Sequence, residues 1–365
     1  MALLQKDSQY TFDALQLTTE AQELLCMIPK VELDQNLLET INADTFASLQ
    51  AQRALRSSEQ HRPITYQEYF HLGLKQRRYL VEQLIAWPAH LYQITYDYLV
   101  KAAEQGVFYN EFRFNPLFYI NQTRFSLSEA LDSVFTAMSA AQDDTGIESR
   151  VLYSLEGIEH QLTDVREQLL SHRPECVAGI AMSMHTRRLL SDELLDHCRQ
   201  LGFGITLDAV DMDPASEQDI KALISSDRFS HAYVLYKGAE AFDALPRRLR
   251  EQGRIMTFAP ISPGTIAPVD NRQVEREQAV AALLEQGYAL YPVANSHSTS
   301  STPTLHAWQF MHQNLDCHAG ELRQFMLNGI NATLADSATK AKWQRQSSNI
   351  LEVVADSLDI TSTAD

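Results

Sequence analysis

Short apolar runs alternate with longer amphipathic segments along most of the chain, from residue 31 onward. The runs are rich in β-branched and aromatic residues, which is typical of buried strands. Eight runs predict strands, at residues 31–33, 107–114, 149–155, 177–182, 204–210, 229–235, 255–261 and 288–294. Helical periodicity occupies segments between them, including residues 126–141, 162–171, 191–201, 216–225 and 274–286.

This alternation of strands and helices predicts an α/β fold with a parallel sheet. Eight successive strand–helix units favour a (β/α)8 TIM barrel, which we place at residues 29–340. An open, doubly wound sheet is the alternative that the pattern alone leaves open.

Three segments lie outside the regular alternation. Residues 37–105 form a helical insertion between the first two strands, in which 72–85 and 91–103 are amphipathic. Residues 1–28 predict a helical lead before the barrel. Residues 341–365 form a C-terminal tail that ends in Ser, Thr and Asp, and we expect it to be frayed.

Charge and hydropathy narrow the classes of function. The chain has 47 acidic and 30 basic residues, and its formal net charge of −17 argues against nucleic acid or an anionic membrane as a partner. No apolar run approaches the roughly 18 residues of a membrane helix. The first ten residues lack the charged start and apolar stretch of a signal peptide. We therefore expect a cytoplasmic location.

Cysteine and histidine spacing carries no common metal signature. The 4 cysteines are far apart and form no C-x-x-C, so neither a zinc knuckle nor a disulfide framework is expected. The 12 histidines include no H-E-x-x-H and no H-x-H pair.

Several short motifs nevertheless follow one another along the predicted strands. They are Pro-Lys-Val-Glu-Leu-Asp-Gln-Asn-Leu at 29–37, Tyr-Asn-Glu-Phe-Arg-Phe-Asn-Pro at 109–116, Arg-Phe-Ser-His-Ala at 228–232, Ala-Pro-Ile-Ser at 259–262, Asn-Gly-Ile at 328–330, and Lys340. In this order the set resembles the adenosine deaminase family. The corresponding family motifs read P-K-V-E-L-H-x-H-L, Y-x-E-x-R-x-S-P, R-I-G-H-G and C-P-x-S, followed by N-x-I and a lysine.

The resemblance implies a barrel that binds zinc at the carboxyl ends of its strands, where the ion activates a water that attacks a purine ring. In the family, zinc is held by the two histidines of H-x-H on strand one, the histidine of H-A-G-E on strand five and an aspartate of T-D-D-P on strand eight. The glutamate of H-A-G-E moves a proton, and the histidine of R-I-G-H-G orients the hydroxide.

All four zinc-ligand positions differ in this chain. Asp34 and Asn36 replace the histidines of strand one, Asp208 replaces that of strand five, and Ser296 stands where the aspartate of strand eight would be. We therefore expect no zinc, although the family implies it.

The two proton-handling positions are only partly kept. Asp211 replaces the family glutamate, and a side chain shorter by about 1 Å can cost about 10²-fold in rate. His231 matches its family counterpart. We interpret both as vestigial catalytic positions. The letters H-A-G-E also occur at residues 318–321, but inside a predicted helix after strand eight, which indicates coincidence.

The purine-recognition positions differ as well. Leu38 replaces the acid that holds the ribose hydroxyl, and Met184 replaces a glycine whose backbone approaches the base. His297 replaces the second aspartate of T-D-D-P. We expect these three residues in the remodelled pocket, and His185 nearby as an ordinary surface or pocket histidine.

Charged residues on several strands are predicted to meet inside the barrel. Asp34, Asp208, Asp211 and His231 would converge at the mouth, either around Mg²⁺, Mn²⁺ or Ca²⁺ or as a hydrogen-bonded network without an ion. Deeper in the barrel, a buried charged layer is expected at Glu32, Glu111 and Arg113, with Arg113 as the cation for both carboxylates.

Three functions remain open at this point. The leading hypothesis is a pseudoenzyme that has lost zinc-dependent purine deamination and serves as a binding or regulatory subunit for a small molecule or a protein partner. The alternative is a hydrolase or deaminase with an altered metal or substrate that uses Asp34, Asp208, Asp211 and His231. Residual zinc-dependent deamination of adenosine, a hydrolysis of a C–N bond, is the third, and the sequence allows an oligomer in each case.

Overall fold

The structure is a computed structural model, which describes residues 19–56, 63–72, 74–116, 125–155, 171–172, 174–209, 216–230, 251–258, 280–294, 303–314, 317 and 319–362. Its strands are β1 (Lys30–Asn36), β2 (Val107–Phe114), β3 (Glu148–Ser154), β4 (Val177–Ser183), β5 (Gly204–Asp208), β6 (Arg228–Ser230), β7 (Ile255–Phe258) and β8 (Leu290–Pro292). Its helices are α1 (Thr19–Met27), α2 (Ala43–Arg56), α3 (Tyr66–His71), α4 (Leu74–Leu84), α5 (Pro88–Glu104), α6 (Leu127–Thr145), α7 (Met184–Leu189), α8 (Asp192–Gln200), α9 (Glu217–Ser225), α10 (Pro303–Asn314), α11 (Ala319–Ala332) and α12 (Ser337–Ser362).

The eight strands form one parallel sheet in the order β1 to β8, each paired with the next along the chain. Side chains link its two edges, because the Tyr291 hydroxyl donates to the Val31 carbonyl and the Gln35 amide to the Ala294 carbonyl. The predicted (β/α)8 TIM-barrel fold is confirmed. The doubly wound alternative is wrong, because such sheets reverse their strand order at a switch point.

The local sequence explains where the outer helices begin and end. Helix α6 starts at a capping box between Ser126 and Glu129 and stops at Gly146, which adopts a φ of 79°. Ser191 and Ser216 are the N-caps of α8 and α9, and the side chain of each accepts from a backbone N–H in the first turn. All eight predicted strands are present, although residues 210, 231–235 and 259–261 of those predictions lie outside the described residues.

Helices α2 to α5 lie between β1 and β2, where the helical insertion was predicted. Helix α4 packs against a 3-10 helix, Leu37–Glu39, that directly follows the carboxyl end of β1, while α5 packs on α6 and β2. Part of the insertion therefore borders the mouth of the barrel.

The C-terminal region differs from the expected frayed tail. Helix α12 continues to Ser362 and contacts α1 and α11, and its Trp343 and Val354 are buried. The expectation was wrong because it was based on the Ser, Thr and Asp residues at the end of the chain and overlooked the apolar residues that α12 buries. None of the helices within the described ranges is both long and apolar enough to cross a membrane.

The amino-terminal end of the barrel is closed by the turn between α11 and α12. Leu334 of this turn packs beside Leu152, Ala178 and Ala181. Gly204 at the start of β5 makes room for it, because a Cβ there would lie 2.5 Å from the Leu334 Cδ2 atom. This turn also reaches the charged residues of the barrel interior.

Candidate functional site

Asp34 lies at a β-bulge near the carboxyl end of β1. The β1–β2 register shifts between Leu33 and Gln35, so Asp34 has no partner residue on β2. Its φ of 65° is unusual for any residue other than glycine, although aspartate tolerates this region better than most. The bulge sets the direction in which this side chain points.

The Asp34 carboxylate forms a two-pronged ion pair with Arg228 of β6. The Arg228 Nε atom is 3.1 Å from Oδ2, and Nη2 is 3.0 Å from Oδ1. The Thr257 hydroxyl also donates to Oδ2, at 3.1 Å. The side chains of Asp34 and Arg228 are 4% and 0% exposed, so this pair is fully inside the barrel.

Arg228 also joins Asp34 to the bottom of the barrel. Its Nη1 atom donates to the Glu111 carboxylate and, at 2.9 Å, to the Ala332 carbonyl. Glu111 in turn accepts from the Tyr109 hydroxyl at 2.9 Å and from the Leu334 backbone N–H at 2.6 Å. One guanidinium therefore connects the mouth to the α11–α12 turn.

The charges in this network fix the ionisation of Asp34. Burial would raise the pKa of the Asp34 carboxyl, but the charges of Arg228 and Arg113 and the hydrogen bonds from Arg228 and Thr257 lower it below its ordinary value. For Arg228, burial opposes the charged form, and Asp34 and Glu111 outweigh it, so that the pKa rises. Both partners are charged at neutral pH.

Arg113 lies between two of the family's ligand positions. Its Nη2 atom is 3.8 Å from Asp34 Oδ1, and its Nη1 atom is 3.5 Å from Asp208 Oδ2. The side chains of Arg113 and Asp208 are 12% and 25% exposed, so they reach the surface of the mouth. Arg113 therefore bridges Asp34 and Asp208 at the mouth.

Asn36 and Leu38 build the turn that follows β1. The Asn36 side-chain oxygen accepts from the Leu38 backbone N–H at 3.1 Å and caps the 3-10 helix. That oxygen therefore serves a backbone turn, and Leu38 is half-buried against the core.

Met184 lies in the core at the carboxyl end of β4. Ser183 caps α7 by accepting from the Thr186 N–H at 3.1 Å, and Met184, the first residue of that helix, is fully buried. The neighbouring His185 is exposed, as expected for an ordinary surface histidine.

Four predicted site residues, and the histidine of the H-A-G-E tetrapeptide, stay predictions. Asp211, His231, Ser296 and His297 lie outside the described residues, as does His318. Within the H-A-G-E tetrapeptide, Glu321 lies exposed in the first turn of α11. This placement agrees with the interpretation of the tetrapeptide as a coincidence.

The predicted pairing within the buried charged layer is wrong in two respects. Arg228, not Arg113, bonds Glu111. Glu32 accepts instead from the Thr304 hydroxyl of α10 at 3.0 Å, and burial raises its pKa to about 7. The bulge at Asp34 explains the error for Glu32, because one extra residue breaks the period-two relation between Glu32 and Asp34.

The sequence of the whole barrel matches that of a known protein family. A sequence profile of the family described as adenosine deaminase matches residues 29–348. The chain belongs to the adenosine deaminase family. The match covers every strand of the barrel and the α11–α12 turn.

Individual relatives of this family member are distant. It is 28% identical over 171 residues to an adenine deaminase of Sinorhizobium fredii, a match that spans 45% of this chain and about half (51%) of that protein. A zinc-bound amidohydrolase of Burkholderia ambifaria superposes with a TM-score of 0.79 at 24% identity, over 94% of this chain and 96% of its own. An adenine deaminase of Arthrobacter aurescens has a TM-score of 0.70 at 17% identity, over 89% and 99% of the two chains. These two structures establish the shared fold.

The side chains at two ligand-equivalent positions of this family member, Asp34 and Asn36, are engaged within the protein and differ from the histidines of the family motif. Both Asp34 oxygens accept hydrogen bonds from Arg228 or Thr257, and the Asn36 oxygen accepts from the backbone. Zinc in proteins is bound by Cys, His, Asp or Glu side chains, so the Asn36 amide lies outside its usual donor set. A cation bound to Asp34 would also lie close to the positive charge of Arg228. Within the ranges that the structure covers, no group of three or more His, Cys, Asp or Glu side chains is placed to hold a metal ion.

Arg228 and Thr257 were not predicted from the sequence as partners of Asp34. A signal for Arg228 was available, because a single basic residue in a short buried strand needs a carboxylate partner. Thr257 gave no signal of its own, since a threonine is an ordinary strand residue.

Proposed function

We propose that this member of the adenosine deaminase family does not catalyse zinc-dependent purine deamination and serves as a non-catalytic binding or regulatory protein. The ion pair between Asp34 and Arg228 is the observation that carries the proposal. Asp34, the residue at the first ligand position, is ionised, and Arg228 balances its charge inside the protein.

Charge balance at the mouth supports the same conclusion. The described carboxylates Asp34, Glu111 and Asp208 face the guanidinium groups of Arg113 and Arg228. Three negative charges so close together require compensation, and the two arginines supply most of it. A divalent cation would gain little here beyond the charge of Asp208.

The pocket residues favour a changed ligand rather than a purine nucleoside. Met184 fills the core where the family motif has a glycine, and the apolar Leu38 occupies the position of the ribose-binding acid. Arg113 and Asp208 still reach the mouth surface and present one positive and one negative group. These groups would orient a small polar molecule, whereas a protein partner would meet the rim formed by the insertion.

The alternative is a hydrolase that uses another metal, or none, with Asp34, Asp208, Asp211 and His231 in the chemistry. The partial exposure of Asp208 favours it. The engagement of Asp34 by Arg228 counts against it, because the charge of Arg228 helps to hold the pKa of this carboxyl below its ordinary value and so makes it a weaker general base.

Metal analysis combined with an activity assay tests the proposal. The purified full-length protein is measured for zinc, magnesium and manganese by mass spectrometry, and for deamination of adenosine and adenine by ultraviolet absorbance. We expect well under one equivalent of each metal and no turnover above the buffer rate. Stoichiometric zinc with turnover would overturn the proposal, and stoichiometric magnesium or manganese with hydrolysis would favour the alternative.

A further inference from the structure

A cavity lies at the amino-terminal end of the barrel, opposite the mouth. Its walls come from residues that begin or precede β5, β6 and β7, including Gly204, Asp227 and Arg254, and from the α11–α12 turn. Its volume is about 590 Å³, within the range of roughly 300 to 1,000 Å³ of small-molecule sites. The family's chemistry is placed at the other end of the strands, so this cavity is not part of that site.

The cavity is lined by basic side chains in a strongly acidic protein. Arg199, Arg254 and Lys340 line it, with Asp227 as the acidic residue among the lining residues, while the whole chain has a net charge of −17. Asp227 uses its Oδ2 atom to accept from the Ile205 backbone N–H at 2.7 Å. Its carboxylate therefore supports the start of β5.

Arg254 is the basic residue with the clearest unmet bonding capacity. Its Nε atom is buried and has no hydrogen-bond partner, and no ion pair among the described residues includes this side chain. A guanidinium presents five N–H donors in a planar fork that matches a phosphate or carboxylate. An anion in the cavity would supply the counter-charge that no described carboxylate gives this guanidinium.

The other two basic groups are held in place by backbone carbonyls. Arg199 donates from Nη2 to the Ser225 carbonyl at 2.8 Å, and Lys340 donates from Nζ to the Asn331 carbonyl at 2.9 Å. Arg199 also lies 3.3 Å from Asp196 on its own helix, an exposed contact of little energetic weight. These anchors orient both cations without neutralising Lys340.

We propose that this cavity binds a phosphate monoester of a small polar metabolite, with the phosphate held by Arg254, Arg199 and Lys340. The volume exceeds that of a phosphate ion, and the remaining wall includes polar residues, Asn328, Asn331 and Thr333, beside which a hydroxyl-rich body would lie. A phosphate group can accept from several donors at once, and two arginines and a lysine are the side chains that favour it.

A ligand in this cavity would contact the turn that anchors the charged network of the barrel. Thr333, Leu334 and Ala335 line the cavity. The Leu334 N–H donates to Glu111, and the neighbouring Ala332 carbonyl accepts from Arg228. A bound ligand would therefore hold the turn to which Glu111 and Arg228 are hydrogen-bonded.

Calorimetric titration of the full-length protein tests the proposal. The probes are inorganic phosphate and ribose 5-phosphate, with ribose and with sodium chloride at matched ionic strength as references. We expect saturable binding of both phosphates and none of ribose. Arg254→Gln should raise the apparent Kd for ribose 5-phosphate at least 10-fold and Lys340→Gln about 5-fold, values in keeping with the loss of a charge-assisted hydrogen bond.

Matched variants distinguish specific phosphate binding in the cavity from the general effect of removing one positive charge. Lys342→Gln removes the same charge two residues along α12, at an exposed position outside the cavity, and should leave the Kd within a factor of about two. Hydrogen exchange should slow at residues 331–336 when ribose 5-phosphate is bound. Absence of saturable binding, or equal weakening by Lys342→Gln and Arg254→Gln, would overturn the proposal. It does not depend on the proposed function, since zinc content and turnover concern the opposite end of the barrel.

Discussion

Asp34 of β1 and Arg228 of β6 are 194 residues apart in sequence and form a buried, two-pronged ion pair across the interior of the barrel. Breaking one partner of such a pair leaves an uncompensated buried charge, which typically costs about 3 to 5 kcal/mol. This pair therefore stabilises the fold and also engages the residue at the first ligand position.

Asp34→Asn should lower the free energy of unfolding by about 3 kcal/mol. Asparagine tolerates the positive φ of this position, so the change isolates the charge from the backbone. Urea denaturation at pH 7 measures the effect. Asp192→Asn is the control, because Asp192 pairs with Arg187 at an exposed site, where less than about 1 kcal/mol is expected. Equal effects of the two substitutions would contradict the assignment.

Glu32 should make the stability of the protein depend on pH between about 4.5 and 7. Its pKa is 4.5 in the unfolded chain and about 7 when folded, so the folded state binds more protons in this range. Its contribution is fully present below the unfolded pKa and is lost as the pH rises through the folded one. At 1.36 kcal/mol per pKa unit, the loss by pH 8 is about 3 kcal/mol.

Glu32→Gln should remove this dependence, because a neutral amide needs no proton to stay buried. We expect the variant to match the wild type at pH 4.5 and to be more stable by up to about 3 kcal/mol at pH 8, in urea denaturation at both values. Asp34, whose folded pKa is lowered, acts in the opposite direction at acid pH and is common to both proteins. A constant difference at the two pH values would refute the role of Glu32.

Lys30 should be a main anchor of the amino-terminal end of the barrel. Its buried Nζ atom donates to the carbonyls of Leu25, Ile28 and Gln105 and lies 5.4 Å from the centre of the Trp308 ring. Lys30→Met keeps the volume but leaves buried carbonyls without donors, at a cost of about 3 kcal/mol. Thermal and urea unfolding should show this loss, whereas Lys101→Met, at an exposed pair with Glu104, should change little.

Two glycines of neighbouring strands should differ sharply in their tolerance of alanine. A Cβ at Gly179 would meet the backbone of Gly204, which cannot move without breaking the sheet, so we expect Gly179→Ala to cost about 3 kcal/mol. Gly204→Ala would meet the Leu334 side chain instead. The double variant Gly204→Ala, Leu334→Ala should therefore recover part of the loss, as a double-mutant cycle measures. Gly320→Ala, which meets nothing within 4 Å, serves as the control for the substitution itself and should not destabilise the protein.

The sequence was sufficient to predict the barrel. Each strand is a short apolar run, and the motifs that begin at residues 29, 109 and 228 start on or beside β1, β2 and β6 in the expected order. The meeting of Asp34 with Asp208 at the mouth also followed, since the carboxyl ends of parallel strands share one end of a barrel.

The partners of the charged residues could not be predicted in the same way. The pairing of Asp34 with Arg228 depends on the bulge in β1. No local sequence pattern predicts the extra residue that forms such a bulge. The same bulge separates Glu32 from the interior network, and the helical α12 depended on burial of Trp343 against other elements. Such features follow from tertiary register and packing, which one sequence does not specify.

Zinc binding by the wild type and by a ligand-restored variant shows whether the altered ligand positions are what prevents metal binding. The variant carries Asp34→His, Asn36→His, Asp208→His and Ser296→Asp, and both proteins are dialysed to equilibrium against micromolar zinc before metal analysis. We expect about one bound zinc per chain in the variant and none retained by the wild type. One tightly bound zinc in the wild type, together with turnover of adenosine or adenine, would contradict this expectation.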